Sequence, residues 1–194
     1  MRISAVLLAG GESSRMGRDK ATLSFRGELL WERQIDLLRK VQPAKLFVSA
    51  QIDPAWRPGD VEFVPDQEPS CGPLGGIVAA LSRIDTEHLL VLAIDVPFMS
   101  EAYLRGLCQR CESGQGIVPI IESRAEPLVA IYSGNYAGMF AEALAAYDFA
   151  LQPVIRKLIT LGKLRPIEVL PEEIPLFRNL NEPQDLLRPL AADL

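Results

Sequence analysis

The amino-acid sequence predicts an α/β domain built on a mostly parallel β-sheet. Short apolar runs rich in β-branched residues alternate with longer segments that have the period of a helix. A hydrophobic content of 48% in 194 residues is enough for one core between layers of secondary structure. We therefore expect a single domain that covers residues 1–194.

Seven apolar runs are expected to form strands. They are residues 3–8, 45–49, 61–64, 89–94, 117–121, 128–132 and 164–168. The run at residues 89–94 is apolar on both faces, which is typical of a central strand that helices cover on both sides. Ligands of open parallel sheets bind at the carboxyl ends of the strands, so polar residues that follow these runs are candidates for a site.

The segments between the strands have the spacing of amphipathic helices. In residues 29–41, for example, Trp31, Ile35 and Leu38 recur at intervals of three or four. Further helices are predicted at residues 75–83, 101–113, 136–146, 153–161 and 183–190. Asn181 can cap the last of these, because asparagine caps helices well and Gln184 follows at the distance of a capping box.

Charge and composition exclude several classes of function. A net charge of -5 and a pI near 5.0 argue against general binding to nucleic acid or to an anionic membrane. No segment approaches the length that spans a bilayer. Three cysteines do not make a disulfide framework, and the first residues lack the pattern of a signal peptide, so we expect a cytoplasmic protein.

A glycine-rich loop with three cations follows the first strand. Residues 7–20 read LLAGGESSRMGRDK. The glycines allow main-chain N–H groups to approach phosphate oxygens, and Arg15, Arg18 and Lys20 supply positive charge. The glycine spacing matches neither the dinucleotide-binding pattern nor the P-loop, which disfavours oxidoreductases and P-loop NTPases. The loop therefore predicts binding of a nucleoside triphosphate.

Two more elements are expected at the same edge of the sheet. Asp95 ends the central strand, and one carboxylate together with phosphate oxygens and waters is the usual way in which a protein holds Mg²⁺. The loop at residues 72–76, GPLGG, can bring its backbone close to a base or a ribose. The residues alone leave open that Asp95 only caps a turn and that the glycines only form a tight turn before a packed helix.

Several motifs follow one another along the chain. They are LAGG-x-S-x-RMG-x-DK at residues 8–20, Asp66 before GPLGG, D-x-PF at 95–98, EPL at 126–128 and NLN-x-P-x-DL at 179–186. This series resembles the molybdenum cofactor guanylyltransferases, the MobA family. The resemblance implies a three-layer Rossmann-like fold of the nucleotide-diphospho-sugar transferase kind, with helices flanking a mostly parallel sheet.

The resemblance also implies an activity. Members of this family transfer GMP from GTP to the terminal phosphate of molybdopterin, with Mg²⁺, and so form molybdopterin guanine dinucleotide and pyrophosphate. The related enzymes that use CTP typically have L-A-A-G where this chain has L-A-G-G at residues 8–11, and the glycine pair favours GTP. Molybdoenzyme apoproteins or cofactor-delivery proteins are the partners that the resemblance suggests.

Site residues can be carried over from the family position by position. The implied nucleotide-binding residues are Leu8, Ala9, Gly10, Gly11, Lys20, Asp66 and Asp95. Lys20, Arg15 and Asp95 are the implied catalytic residues, and Asp95 also holds the metal. Asn179 and Asn181 are candidates for the pterin side, although Asn181 fits a helix cap equally well. Residue 49, where family members can carry an asparagine that contacts the nucleotide, is Ser49 here and stays unassigned.

Two other functions remain open at this point. One is nucleotidyl transfer to another phosphorylated acceptor, such as a sugar phosphate or the CTP-dependent pterin. The other is a binding protein that delivers the pterin cofactor without turnover.

Cys108 and Cys111 have no second pair that would complete a zinc site, and His88 is expected at the surface or at a strand edge.

Overall fold

The computed structural model describes residues 2–10, 20–66 and 71–180. Its centre is an eight-stranded sheet formed by these residues, and Ser24–Phe25 (β2) pairs with Glu28–Leu29 (β3) in a separate hairpin. The strands of the sheet are Ile3–Leu8 (β1), Leu46–Ala50 (β4), Glu62–Pro65 (β5), His88–Ala93 (β6), Gly116–Ile121 (β7), Arg124–Ala125 (β8), Val129–Ser133 (β9) and Leu164–Glu168 (β10).

Most neighbouring strands of the sheet run parallel. The order is β10-β7-β9-β6-β1-β4-β5, and β8 pairs with β7. β1 is parallel to β4 and β6, whereas β9 runs antiparallel to both of its neighbours, β6 and β7. Every residue of β1 and of β6 is buried, which agrees with their central positions. The predicted mostly parallel sheet and the central position of β6 are confirmed.

Helices cover both faces of this sheet. They are Leu30–Lys40 (α1), Gly72–Leu81 (α2), Glu101–Arg110 (α3), Ala137–Ala145 (α4) and Leu151–Thr160 (α5). Alternate residues of β1 enter two separate clusters: Ala5 and Leu7 pack with α1 and α3, whereas Val6 and Leu8 pack with α2, α4 and α5. The expected three layers follow from this alternation, because successive side chains of a strand point to opposite faces. None of the described helices is long and apolar enough to cross a membrane.

Several boundaries differ from the prediction. α2 begins at Gly72, three residues earlier than predicted. Pro73 fits its first turn because an N–H at that position would have no acceptor within the helix, so proline loses no hydrogen bond there. The β2–β3 hairpin was not predicted, since strands of two residues carry no periodic signal. Its turn is made by Arg26 and Gly27, with φ of 53° and 87°, the left-handed conformation of a two-residue hairpin turn. The helix predicted at residues 183–190 lies outside the described residues.

The expectation for His88 was wrong. Its side chain is completely buried at the start of β6, and its Nε2 lies 3.2 Å from the carbonyl oxygen of Gln115. His88 pairs with Ile3 on one side and with Ser133 on the other, so the strand edge that the sequence suggested is covered by two neighbouring strands.

Candidate functional site

Backbone hydrogen bonds hold the start of the glycine-rich loop against the neighbouring strands. The amides of Ala9 and Gly10 both donate to the carbonyl of Ser49, at 2.9 and 3.1 Å. Asp66 directly follows β5, and its amide donates to the carbonyl of Ala50 at 2.9 Å. These bonds extend the sheet by a residue or two and fix Ala9, Gly10 and Asp66 along one edge.

The carboxylate of Asp66 lies in a space that two glycines leave open. A Cβ on Gly10 would stand 2.4 Å from Asp66 Oδ2, and a Cβ on Gly76 would stand 3.1 Å from Oδ1. The hydroxyl of Ser49 donates a long hydrogen bond to Oδ1, at 3.4 Å. Burial raises the pKa of Asp66, and the bond from Ser49 offsets this only in part. The carboxylate therefore keeps acceptor capacity for a ligand.

Lys20 and Asp95 meet at the carboxyl end of β6. The Nζ of Lys20 lies 3.8 Å from Asp95 Oδ2 and donates to the carbonyl of Leu180 at 3.0 Å. The amide of Leu180 in turn donates to the carbonyl of Asp95 at 2.8 Å. Burial raises the pKa of Asp95 more than the Lys20 ammonium lowers it. Three segments that are distant in the sequence thus form one polar cluster.

Asp95 lies in the turn that follows β6, and side chains of α1 form hydrogen bonds with the backbone of this turn. Gln34 is completely buried, and its side-chain Nε2 donates to the backbone carbonyls of Ala93 and Val96 at 3.3 and 2.9 Å. Nε of the neighbouring Arg33 donates to the carbonyl of Pro97 at 2.6 Å. Three carbonyls on both sides of Asp95 are therefore fixed by one turn of helix, which limits the positions that the carboxylate can take.

Sequence reasoning missed Gln34, although the sequence contains a signal for it. Gln34 lies four residues after Leu30 and four before Leu38, so it falls within the apolar stripe of α1. A polar residue in such a stripe is buried together with its helix face, and it then needs hydrogen-bond partners inside the protein.

A cavity of about 620 Å³ is lined by residues that neighbour this edge of the sheet. Asn179, which precedes Leu180, lines it together with Pro73 in the first turn of α2. Residues 124–128 and residues 149–152, at the start of α5, line it as well. The cavity therefore adjoins the segment that is hydrogen-bonded to Lys20 and Asp95.

The predicted site residues that the structure describes lie close together in the fold. The carboxyl ends of β1, β5 and β6 carry Leu8, Ala9, Gly10, Asp66 and Asp95, Lys20 lies beside Asp95, and Asn179 lines the adjoining cavity. The other three, Gly11, Arg15 and Asn181, lie outside the described residues.

The residues that the structure describes contain no group of three or more His, Cys, Asp or Glu side chains that could hold a metal. Burial raises the pKa of the Cys108 thiol to about 11 and that of Cys111 to about 12, so both stay protonated at neutral pH. A metal bound beside Asp95 would therefore take few protein ligands from the described residues, and its other coordination positions would fall to a ligand and to water.

Comparison with known proteins decides the family. A family model described as the MobA-like NTP transferase domain matches residues 5–162. The chain belongs to this family. Proteins named probable molybdenum cofactor guanylyltransferase, from Opitutus terrae and Pelotomaculum thermopropionicum, are 33% and 31% identical to it. These matches cover 94% and 97% of this chain and 92% of each relative. The family resemblance expected from the motifs is confirmed.

Solved structures of other proteins share the fold. Molybdopterin-guanine dinucleotide biosynthesis protein A from Archaeoglobus fulgidus superposes with a TM-score of 0.71 at 24% identity, over 95% of each chain. A nucleotidyl transferase from Methanothermobacter thermautotroptrophicus gives a TM-score of 0.75 at 20% identity, over 96% of this chain and 94% of that one. At this identity the likeness concerns the fold, and it agrees with the three-layer architecture described above.

Proposed function

We propose that this protein transfers GMP from GTP to the terminal phosphate of molybdopterin, with formation of molybdopterin guanine dinucleotide and pyrophosphate. The main support is the meeting of Lys20 and Asp95, 3.8 Å apart, beside the end of β1 in a chain whose relatives carry the name of guanylyltransferases. We further propose that residues 1–194 act as one nucleotidyltransferase domain in the cytoplasm, where molybdoenzyme apoproteins or cofactor-delivery proteins take up the product.

Asp66 is the proposed ligand of the guanine base. Guanine presents two neighbouring donors, N1–H and the 2-amino group, whereas the corresponding edge of cytosine presents a single amino donor beside acceptors. A carboxylate accepts both guanine hydrogen bonds and strengthens them by its charge. The space beside Gly10 and the unused acceptor capacity of Asp66 support this assignment. In the same proposal the backbones of Leu8, Ala9, Gly10 and Gly11 contact the nucleotide.

The phosphates of GTP are proposed to bind Lys20 and Arg15. Their charges offset the repulsion between the triphosphate and the phosphate of the acceptor, which are both anions. The hydrogen bond from Lys20 to the carbonyl of Leu180 keeps its ammonium group beside Asp95. Because that carbonyl is neutral, it does not offset the charge of Lys20, which is then shared between Asp95 and the phosphates.

Asp95 is the proposed protein ligand of Mg²⁺. The carboxylate is 22% exposed and therefore accessible, and its raised pKa indicates that a neighbouring positive charge would stabilise the ionised form. Mg²⁺ is commonly held by one or two carboxylates together with substrate phosphates and water, which fits a site with one carboxylate. When bound, the ion supplies positive charge at the α-phosphate and at the departing pyrophosphate.

The reaction needs no general base, since the phosphate monoester of the acceptor is already ionised near neutral pH. One of its oxygens forms a bond to the α-phosphorus of GTP, and the bond from that phosphorus to the bridging oxygen of pyrophosphate breaks. Catalysis then rests on alignment and on charge stabilisation. The bonds from Gln34 and Arg33 to the Asp95 turn contribute to alignment. The cavity beside Asn179 is the proposed site of the acceptor.

The proposal is tested by mixing the protein with GTP, Mg²⁺ and molybdopterin and measuring pyrophosphate and the dinucleotide product. We expect transfer with GTP, little with CTP or ATP, and none after chelation of Mg²⁺. Preference for CTP, or transfer only to a sugar phosphate, would replace the proposed substrates. Binding of molybdopterin without release of pyrophosphate would favour a delivery protein instead.

A further inference from the structure

Glu126 lines the cavity beside Asn179 and is held there by a rigid backbone. Its amide donates to the carbonyl of Pro119 at 2.9 Å, and its own carbonyl accepts from the amide of Val129 at 3.2 Å. The preceding carbonyl, of Ala125, accepts a hydrogen bond from the side chain of Gln152 at 2.8 Å. The side chain of Glu126 therefore projects from a fixed point between β8 and β9.

The carboxylate of Glu126 has no partner among the residues that the structure describes. It is half-buried, and it makes neither a hydrogen bond nor an ion pair within residues 2–10, 20–66 and 71–180. Burial raises its pKa, and the charge of Arg124 lowers the pKa by a smaller amount. A carboxylate that is partly withdrawn from water without a partner destabilises the folded protein, and a ligand with hydrogen-bond donors removes that cost.

The other cavity walls suit a flat heterocycle. Phe149 and Phe177 line the same space, and because Phe177 is buried, the half-buried Phe149 offers most of the aromatic surface on which a planar ring can pack. Asn179 lies at the side of the cavity that leads to Leu180 and hence to Asp95. A ligand whose ring lies against Glu126 can therefore extend its other end towards the phosphate site.

We propose that Glu126 recognises the pterin ring of the acceptor by accepting hydrogen bonds from its N3–H and 2-amino groups. This inference rests on the proposed function, which makes a pterin the acceptor. Two parallel donors match the two oxygens of a carboxylate, and such charge-assisted pairs fix both position and orientation. The guanine base has the same pair of donors, so Asp66 and Glu126 serve as two carboxylates for two similar ring edges, one for each substrate.

The first experiment measures ring binding without turnover. 6-Hydroxymethylpterin is compared with 6-hydroxymethyllumazine, in which an oxygen replaces the 2-amino group, by fluorescence anisotropy or ligand-detected NMR. The wild-type protein should prefer the pterin. Glu126→Gln should weaken pterin binding by about tenfold and reverse the preference, because a carboxamide offers one acceptor and one donor, which matches the N3–H and 2-oxo groups of lumazine. A merely structural role of Glu126 does not reverse the preference.

The matched control is Glu122→Gln, which removes the same charge from an exposed position in the turn between β7 and β8 and should change neither affinity. In the transfer reaction, Glu126→Gln should raise KM for molybdopterin about tenfold and leave kcat and KM for GTP unchanged, since the ring contact exists before and during transfer.

Two outcomes separate this inference from the function on which it rests. Wild-type protein that binds the pterin ring and forms no dinucleotide, together with a reversed preference in Glu126→Gln, contradicts guanylyl transfer and supports the role of Glu126. Active wild-type protein, combined with a Glu126→Gln variant that keeps its pterin preference and its KM for molybdopterin, overturns the role of Glu126 alone.

Discussion

Replacing Gly10 by alanine tests whether the position of the Asp66 carboxylate, which the missing Cβ of Gly10 permits, is needed for binding of the guanine nucleotide. The new Cβ would stand 2.4 Å from Asp66 Oδ2, and ordinary van der Waals contact begins at 3.4 Å, so the two atoms must separate by about 1 Å (3.4 − 2.4). The same Cβ would already touch the Cα of Ala50 at 3.6 Å, which leaves the carboxylate as the group that moves. A shift of this size lengthens a hydrogen bond to the base beyond its useful range.

The expected effect follows from the loss of that contact. A hydrogen bond to a charged group contributes about 1.5–3 kcal/mol, so KM for GTP should rise roughly 10- to 150-fold. The main-chain N–H of residue 10 is retained in the variant, so its hydrogen bond to the carbonyl of Ser49 should persist. Steady-state kinetics at saturating Mg²⁺ and molybdopterin would measure the change. Gly59→Ala is the matched control, because an added Cβ there meets nothing within 4 Å.

A double-mutant cycle gives the decisive result. If the added methyl group acts by displacing the carboxylate, then Gly10→Ala should have little further effect in protein that already carries Asp66→Ala. An effect of full size in that background, or a KM for GTP within twofold of wild type in the single variant, would refute the reasoning.

Three further variants test the catalytic cluster. Asp95→Asn should abolish transfer and preserve the fold. Because burial raises the pKa of Asp95, the ionised carboxylate opposes folding, so the variant should have a Tm at pH 7 no lower than that of wild type. Thermal scans should show any gain in Tm disappear as the pH falls towards about 4, where the wild-type carboxylate becomes protonated. Turnover near the wild-type rate would remove Asp95 from the mechanism. Lys20→Ala should lower the rate of pyrophosphate release at least about tenfold, and an unchanged rate with unchanged GTP affinity would contradict its role. Gln34→Leu deprives the carbonyls of Ala93 and Val96 of a donor, so urea unfolding should show a loss of about 1–3 kcal/mol together with a lower kcat, and unaltered values for both would argue against the bracing role.

The sequence predicted those parts of the fold that depend on local patterns. β1 and β6 were found as continuous apolar runs because strands covered on both faces have no polar side to interrupt them. The positions of Lys20 and Asp95 followed from the rule that loops at the carboxyl ends of parallel strands share one edge. Residue order and residue type were sufficient for these inferences.

Features that depend on contacts between distant segments could not be predicted in this way. The antiparallel direction of β9 is decided by its pairing with β6 and β7, and no local property of its residues encodes that choice. The burial of His88 depends on the strands beside it, and the contact between Gly10 and Asp66 depends on which strand carries each residue to the edge. Chain topology determines all of these, and a single sequence does not reveal it.

Leu180 joins Lys20 to Asp95, although it lies 160 residues after Lys20 in the chain. During translation, β1 to β10 emerge from the ribosome before this residue does, so a nascent chain can assemble its sheet while the ammonium and the carboxylate still lack their common tether. The Lys20–Leu180–Asp95 connection is therefore completed only after every strand of the described sheet has been synthesised.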